Sequence, residues 1–162
     1  MTQSAQEQFH SQLTHFSNAM LVTRASDGQL RSRPMAVAEV EENSNVWFVT
    51  DFDAAKVDEI QADPQVCVVM QDSSRFLSLS GHGKIIRDRN KVEELWSEAW
   101  KVWFPEGKDD PSIVLLKVES TVGEFWDNSG LKGIQYLFEA GKAYLSGERP
   151  DTSESMNKKV TL

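Results

Sequence analysis

The chain of 162 residues has one cysteine, three histidines and no long apolar run, and each scarcity removes a class of protein. A single cysteine excludes an intramolecular disulfide and suits a reducing compartment. His10, His15, His82 and Cys67 lack a metal-binding spacing: His10 and His15 are five apart and do not share a helical face, and Cys67 sits in an apolar run. No orienting group accompanies that cysteine, so nucleophilic catalysis has no support. The start, "MTQSAQEQFHSQLTHF", has no basic region followed by an apolar stretch, and no segment approaches the length of a membrane span. Neither secretion nor membrane insertion is expected, and the cytoplasm is the default. Positive charge is short as well: 17 Lys plus Arg stand against 25 Asp plus Glu, and a net charge of -8 opposes broad attachment to nucleic acid or anionic membrane. A small anion needs only a few local donors, which a screened remote field does not forbid.

What is present fits one globular domain. Hydrophobic residues make up 40% of the chain and charged residues 26%, so a sizeable core can form. Five tryptophans and eight phenylalanines supply large apolar surfaces for a core, a subunit interface or a stacked ring.

Phe9, Leu13 and Phe16 recur at helical spacing, which predicts a short amphipathic helix over residues 4–16. "AMLVTRAS" reads as a strand that turns at Asp27-Gly28 into "LRSRPMAVAEVE", and "VWFVT" is a third strand after "ENSN". Asp53 is placed to cap a helix through "AAKVDEIQA", stopped by Pro64. "VCVVMQ" and "RFLSLSGHGKIIR" continue as strands, the glycines of "SGHG" permitting a bend or bulge; the motif lacks the features of a phosphate loop. Asn90 and Glu93 have capping-box spacing ahead of a helical stripe of Val92, Leu95, Trp96, Ala99 and Trp103. In that stripe Trp96 is expected in the core, and Trp100 and Trp103 are divided between core and interface. "FPEGKDDP" interrupts it, with Asp109-Asp110 read as turn and solubility residues, and "SIVLLKVES" is a last strong strand before "VGEFWDNSG". These patterns predict a mainly β fold: a closed or split antiparallel barrel of about six strands with two or three flanking helices. The domain is expected over residues 1–141, and the polar segment 142–162 as a flexible tail.

Arg31 and Arg33 are two apart and share one side of a strand, with Ser32 and Pro34 on the other. If the second and third strands pair, either arginine approaches the turn from Thr50 to Lys56, where a guanidinium, a hydroxyl and an ammonium would together suit a phosphate. Spacing alone leaves open the alternative that these charges cover solvated surface.

The ordered set "RSRPM", "VWFVTDFDAAKVDEI", "VCVVMQD", "GHGKI", "WKVWFPEGKDDP" and "EFWD" resembles the general stress protein 26 group of the pyridoxamine 5'-phosphate oxidase-like, FMN-binding split barrels, over approximately residues 6–128. The resemblance implies a flavin, FMN with FAD as the alternative, held by a homodimer in grooves between its subunits. It implies Arg33 as a flavin contact and Pro34 and Met35 as the cofactor bed, with Ser32 beside them and Arg31 auxiliary. It further implies Phe48, Val49 and Thr50 along the next strand, Lys56 at the phosphate, Gln71 at the flavin and Trp126 near the dimer boundary. Ala55 stands where the oxidases carry a second basic residue, and Asp72 where they carry a hydroxyl. The substrate-binding arginines of the oxidases have no match in "DNSGLKGIQYLF", so flavin binding is implied more strongly than oxidation of a B6 vitamer. An oxidoreductase, a noncatalytic flavin carrier or sensor, and a nonflavin interaction module on the Trp-rich segment are the functional alternatives.

Overall fold

Burial alternates along the first strand, β1 (Asn18–Arg24): Ala19, Leu21 and Thr23 are enclosed while Asn18 and Met20 face outward. This is the period of a sheet with one face on a core. In the computed structural model, which describes residues 3–147 and 157–162, that core is the inside of a barrel. Its strands are β1, β2 (Leu30–Val40), β3 (Val46–Asp51), β4 (Gln65–Gln71), β5 (Arg75–Ile86) and β6 (Ile113–Asp127). Antiparallel pairing runs β1–β2–β3–β6–β5–β4 and returns to β1, so the ring closes. Closure removes the free edges that an open sheet of these strands would expose. A seventh strand, β7 (Asn157–Thr161), lies outside the ring on β6.

β6 is long enough to serve two neighbours along one edge. Residues 113–118 pair with β3 and residues 122–126 with β7, while β5 occupies the opposite edge. The handover coincides with a bulge, where Ser80 faces Val122 but Gly81 faces Ser120 and leaves Thr121 as the extra residue. Gly81 is required there by close approach: a Cβ on it would lie 2.2 Å from the Glu119 carbonyl oxygen. The bend expected of "SGHG" therefore exists, with its extra residue on the facing strand.

Helix α1 (Ala5–Leu13) starts with Ser4 and Glu7 in a capping box and presses Phe9 and Leu13 into the barrel core, both fully enclosed. Each such side chain contributes about 1.5–3 kcal/mol of burial. Helix α2 (Ala55–Ala62) follows β3 and adds Ile60 to the same core. Its cap is Ala54, without a side-chain bond, and not the expected Asp53; the Asp53 N–H instead donates to Asp51 Oδ1 at 2.7 Å. A second cluster covers the outer face of β3 and β6, joining Trp47, Ile113 and Leu115 to Val92, Trp100 and Phe104. Both faces of the start of β6 are thus covered, which is why "IVLL" is buried without alternation.

Three expectations need correction. Helix α3 (Arg89–Leu95) is capped by Asp88, which accepts from the Lys91 N–H, so Asn90 lies inside the helix. The anticipated stripe to Trp103 breaks at Trp96, whose backbone turns extended, and resumes as short 3-10 helices at Glu98–Val102 and Gly107–Asp109. Trp96 is accordingly only half-buried, set edge-on against Trp100 at 5.7 Å. Finally, the boundary expected at 141 falls within α4 (Gly130–Ser146), and part of the expected tail forms β7. One enclosed side chain, Val160, suffices there because the backbone pairs with β6. Residues 148–156 of that segment lie outside the described ones. Four α-helices flank the barrel among the described residues.

Candidate functional site

A cleft of about 490 Å³ opens where β2 and β3 meet the start of α2, within the size range of small-molecule sites. Its floor comes from the hairpin: Pro34, Met35 and Ala36 of β2 beside Val49 and Thr50 of β3. Trp100, Trp103 and Phe104 form an aromatic wall, made by the 3-10 segment that follows α3. Trp100 and Phe104 are anchored in the outer cluster, whereas Trp103 is 66% exposed at the edge. Asn18, Asp51 and Ala54 complete the lining.

The polar end of the cleft is built on Lys56, whose ammonium donates to Thr50 Oγ1 at 3.0 Å. Burial pushes that ammonium below its ordinary basicity and the Arg33 guanidinium adds to the effect; Asp51 and Glu59 oppose it without cancelling it. A half-buried cation in this state gains from any anion that replaces its lost hydration. Thr50, which accepts from Lys56, keeps its own O–H to donate. Apolar floor, aromatic wall and this donor pair fit a planar ring system carrying one terminal phosphate.

Arg33 takes a different course from its neighbours. It lies on the inward side of β2, and its guanidinium donates to Glu59 Oε2 at 2.8 Å and to Thr23 Oγ1. Thr23 in turn donates to the same Glu59 oxygen at 2.6 Å. Burial pushes the Glu59 carboxyl up, but the hydrogen bonds from Thr23 and Arg33 outweigh it and hold the group below its usual range. The structure therefore brings Pro34, Met35, Val49, Thr50 and Lys56 together, and leaves six other anticipated residues off the cleft lining. Arg33 is held by Glu59. Arg31 is exposed and paired with Asp27 at 3.3 Å. Ser32 faces outward opposite Val22, and Phe48 is fully enclosed in the barrel by the alternation of β3. Gln71 and Trp126 flank Phe76 in one row across β4, β5 and β6. Spacing does not single out Glu59, although it follows Lys56 by one helical step of three. The aromatic excess of Trp96, Trp100, Trp103 and Phe104 is consistent with one or two members reaching a ligand or an interface, and Trp100, Trp103 and Phe104 line the cleft.

The chain matches the pyridoxamine 5'-phosphate oxidase like family over residues 4–151 and belongs to that family. Solved structures similar to this chain include general stress proteins. A protein assigned as a general stress protein 26 in Jannaschia sp. CCS1 is 29% identical, with a TM-score of 0.71 over 95% of this chain and 96% of that one. The general stress FMN/FAD binding protein of Xanthomonas citri is 28% identical, with a TM-score of 0.65 over 77% of this chain and 89% of that one. Protein bli-3 of Neurospora crassa is 27% identical over 119 residues, a stretch that is 66% of this chain and 57% of the fungal protein's length. Among the described residues no helix is long and apolar enough to cross a membrane, and no group of His, Cys, Asp and Glu could hold a metal ion.

Proposed function

We propose that this protein binds FMN in the cleft and serves as a cytoplasmic flavoprotein of the stress-response type. The observation that carries the reading is the half-buried Lys56 ammonium beside Thr50, at the end of a cleft whose other walls are apolar and aromatic. Lys56 and Thr50 would hold the terminal phosphate, Pro34, Met35 and Val49 would underlie the ring, and Trp103 would cover it at the edge. Bound flavin supplies electron or hydride transfer. The chain's own part is to orient the ring, neutralise the phosphate and limit access. A redox partner would then be a small molecule reaching the open side.

The working unit in this reading is a homodimer. Met20 and Phe76 are large apolar side chains left 39% and 40% exposed on the outer barrel face. Phe76 stands between Gln71 and Trp126, so this row would meet the flavin bound by the partner subunit.

The test is a cofactor titration. Purified protein should show flavin absorbance and release FMN on denaturation; stripped protein should rebind FMN saturably and more tightly than riboflavin. Lys56→Glu should weaken FMN by about 10–100-fold and riboflavin much less, because the new carboxylate opposes only the phosphate. Release of FAD in place of FMN would correct the cofactor. No saturable binding of any flavin would sink the proposal.

A further inference from the structure

Among the described ion pairs, Arg33 with Glu59 is the most enclosed, the two side chains being 20% and 8% exposed. Its location is unexpected for a site that holds an anion. Glu59 lies on α2 three residues beyond Lys56 and so on a neighbouring part of the same helical face. Arg33 immediately precedes Pro34 and Met35, which floor the cleft, and its charge is felt at Lys56. A buried carboxylate here neutralises a cation whose charge reaches Lys56, at the proposed phosphate position. Arg33 is also saturated on the side of Glu59: one Nη meets the carboxylate, the other meets Thr23, and Thr23 closes the triangle by donating to Glu59.

We infer that Glu59 sets the strength of the phosphate grip by sequestering Arg33, so that Lys56 and Thr50 hold the anion alone and the flavin stays exchangeable. This rests on the FMN reading above and adds a specificity-setting residue to it. A guanidinium fork is the strongest phosphate partner a side chain offers, and holding it on a carboxylate forgoes that contact. Glu59 is a positioning residue in this scheme. It touches Arg33 and Thr23, and its effect on a ligand passes through Arg33.

The test measures FMN and riboflavin affinities by fluorescence titration for the wild-type chain, Glu59→Gln, and the double variant Arg33→Gln/Glu59→Gln. Glu59→Gln keeps the shape of the triangle and loosens the hold on Arg33. It should tighten FMN by about tenfold or more while riboflavin changes by less than about threefold. The double variant should return the FMN-to-riboflavin ratio to near the wild-type value, since Arg33 carries the gain and makes no phosphate contact in the wild type. An unchanged or lower ratio in Glu59→Gln overturns the inference. A fall of about tenfold or more in the double variant also overturns it, because Arg33 would then have been a direct contact. Should Glu59→Gln fail to fold, the double variant, which removes both buried charges together, decides by the same ratio. A wild-type chain that binds no flavin removes the FMN reading and this inference with it. Flavin binding with an indifferent Glu59 removes the inference alone.

Discussion

Asp72 closes the turn between β4 and β5 by accepting the backbone N–H groups of Ser74 and Arg75, each at 2.7 Å, while His15 lies 3.1 Å from its other oxygen. The bond from Ser74, then that from Arg75, bring its carboxyl down to about 2. A carboxyl more acidic in the folded chain than in the unfolded one favours folding at pH values above its unfolded pKa of about 3.9. That contribution is lost as pH falls from there toward 2. Carboxyl NMR titration should place the Asp72 midpoint near 2, and Asp72→Asn should flatten the acid limb of stability over the same interval. The position where the oxidases carry a hydroxyl is thus occupied by a turn-closing carboxylate. The second and third strands pair as "LRSRPMAVAEVE" and "VWFVT" lead one to expect, and of the two arginines it is Arg33 whose charge is felt at Lys56. Spacing cannot tell which anion Arg33 meets first, because period-2 alternation fixes a face and not a partner. That partner comes from a helix later in the chain.

At the scale of elements, strands are more legible than helix ends. β1 through β5 follow runs of branched and aromatic residues bounded by turn chemistry, and their expected positions hold within a few residues. The stripe from Val92 to Trp103 misleads because a helical period persists in sequence after the backbone has left the helix at Trp96. Packing of Trp100 and Phe104 on the outer face of β3 and β6 dictates that break, and local propensity has no access to it. The bulge offers a sharper test of element geometry. Gly81→Ala should force β5 from β6 at Glu119, lowering stability by about 1–3 kcal/mol in denaturant unfolding. Flavin affinity should fall much less, since the cleft lies on β2 and β3.

The whole molecule leaves more apolar surface outside than a lone barrel needs. Ile134, Leu137, Phe138 and Leu145 of α4 are all at least 62% exposed, in addition to Met20 and Phe76 on the barrel. The homodimer proposed above would cover the barrel patch. Sedimentation should return twice the 18.3 kDa chain mass for the wild type. Phe76→Asp should shift the particle toward the monomer and weaken FMN together, with little change in the stability of the barrel itself. An FMN-loaded monomer of full affinity would refute the shared site. The closed barrel is legible from sequence at this scale, but β7 is not. Its pairing depends on where β3 stops along β6, a property of the assembled sheet that no window of residues 157–161 contains.

The meeting of α1 with β7 governs the order in which the chain can mature. Gln6 donates to the Thr161 carbonyl and Lys158 to Gln8, partners 155 and 150 residues apart, and Phe9 packs against Phe125 of β6. During synthesis at about 5–20 residues per second, α1 emerges on the order of ten seconds before the strands that receive it. Over that interval Phe9 and Leu13 form a bare amphipathic face on a nascent chain, the kind of segment that holdase chaperones capture. Docking of α1 is then a late step that waits for β6 and β7, and until it occurs that apolar face stays open to aggregation.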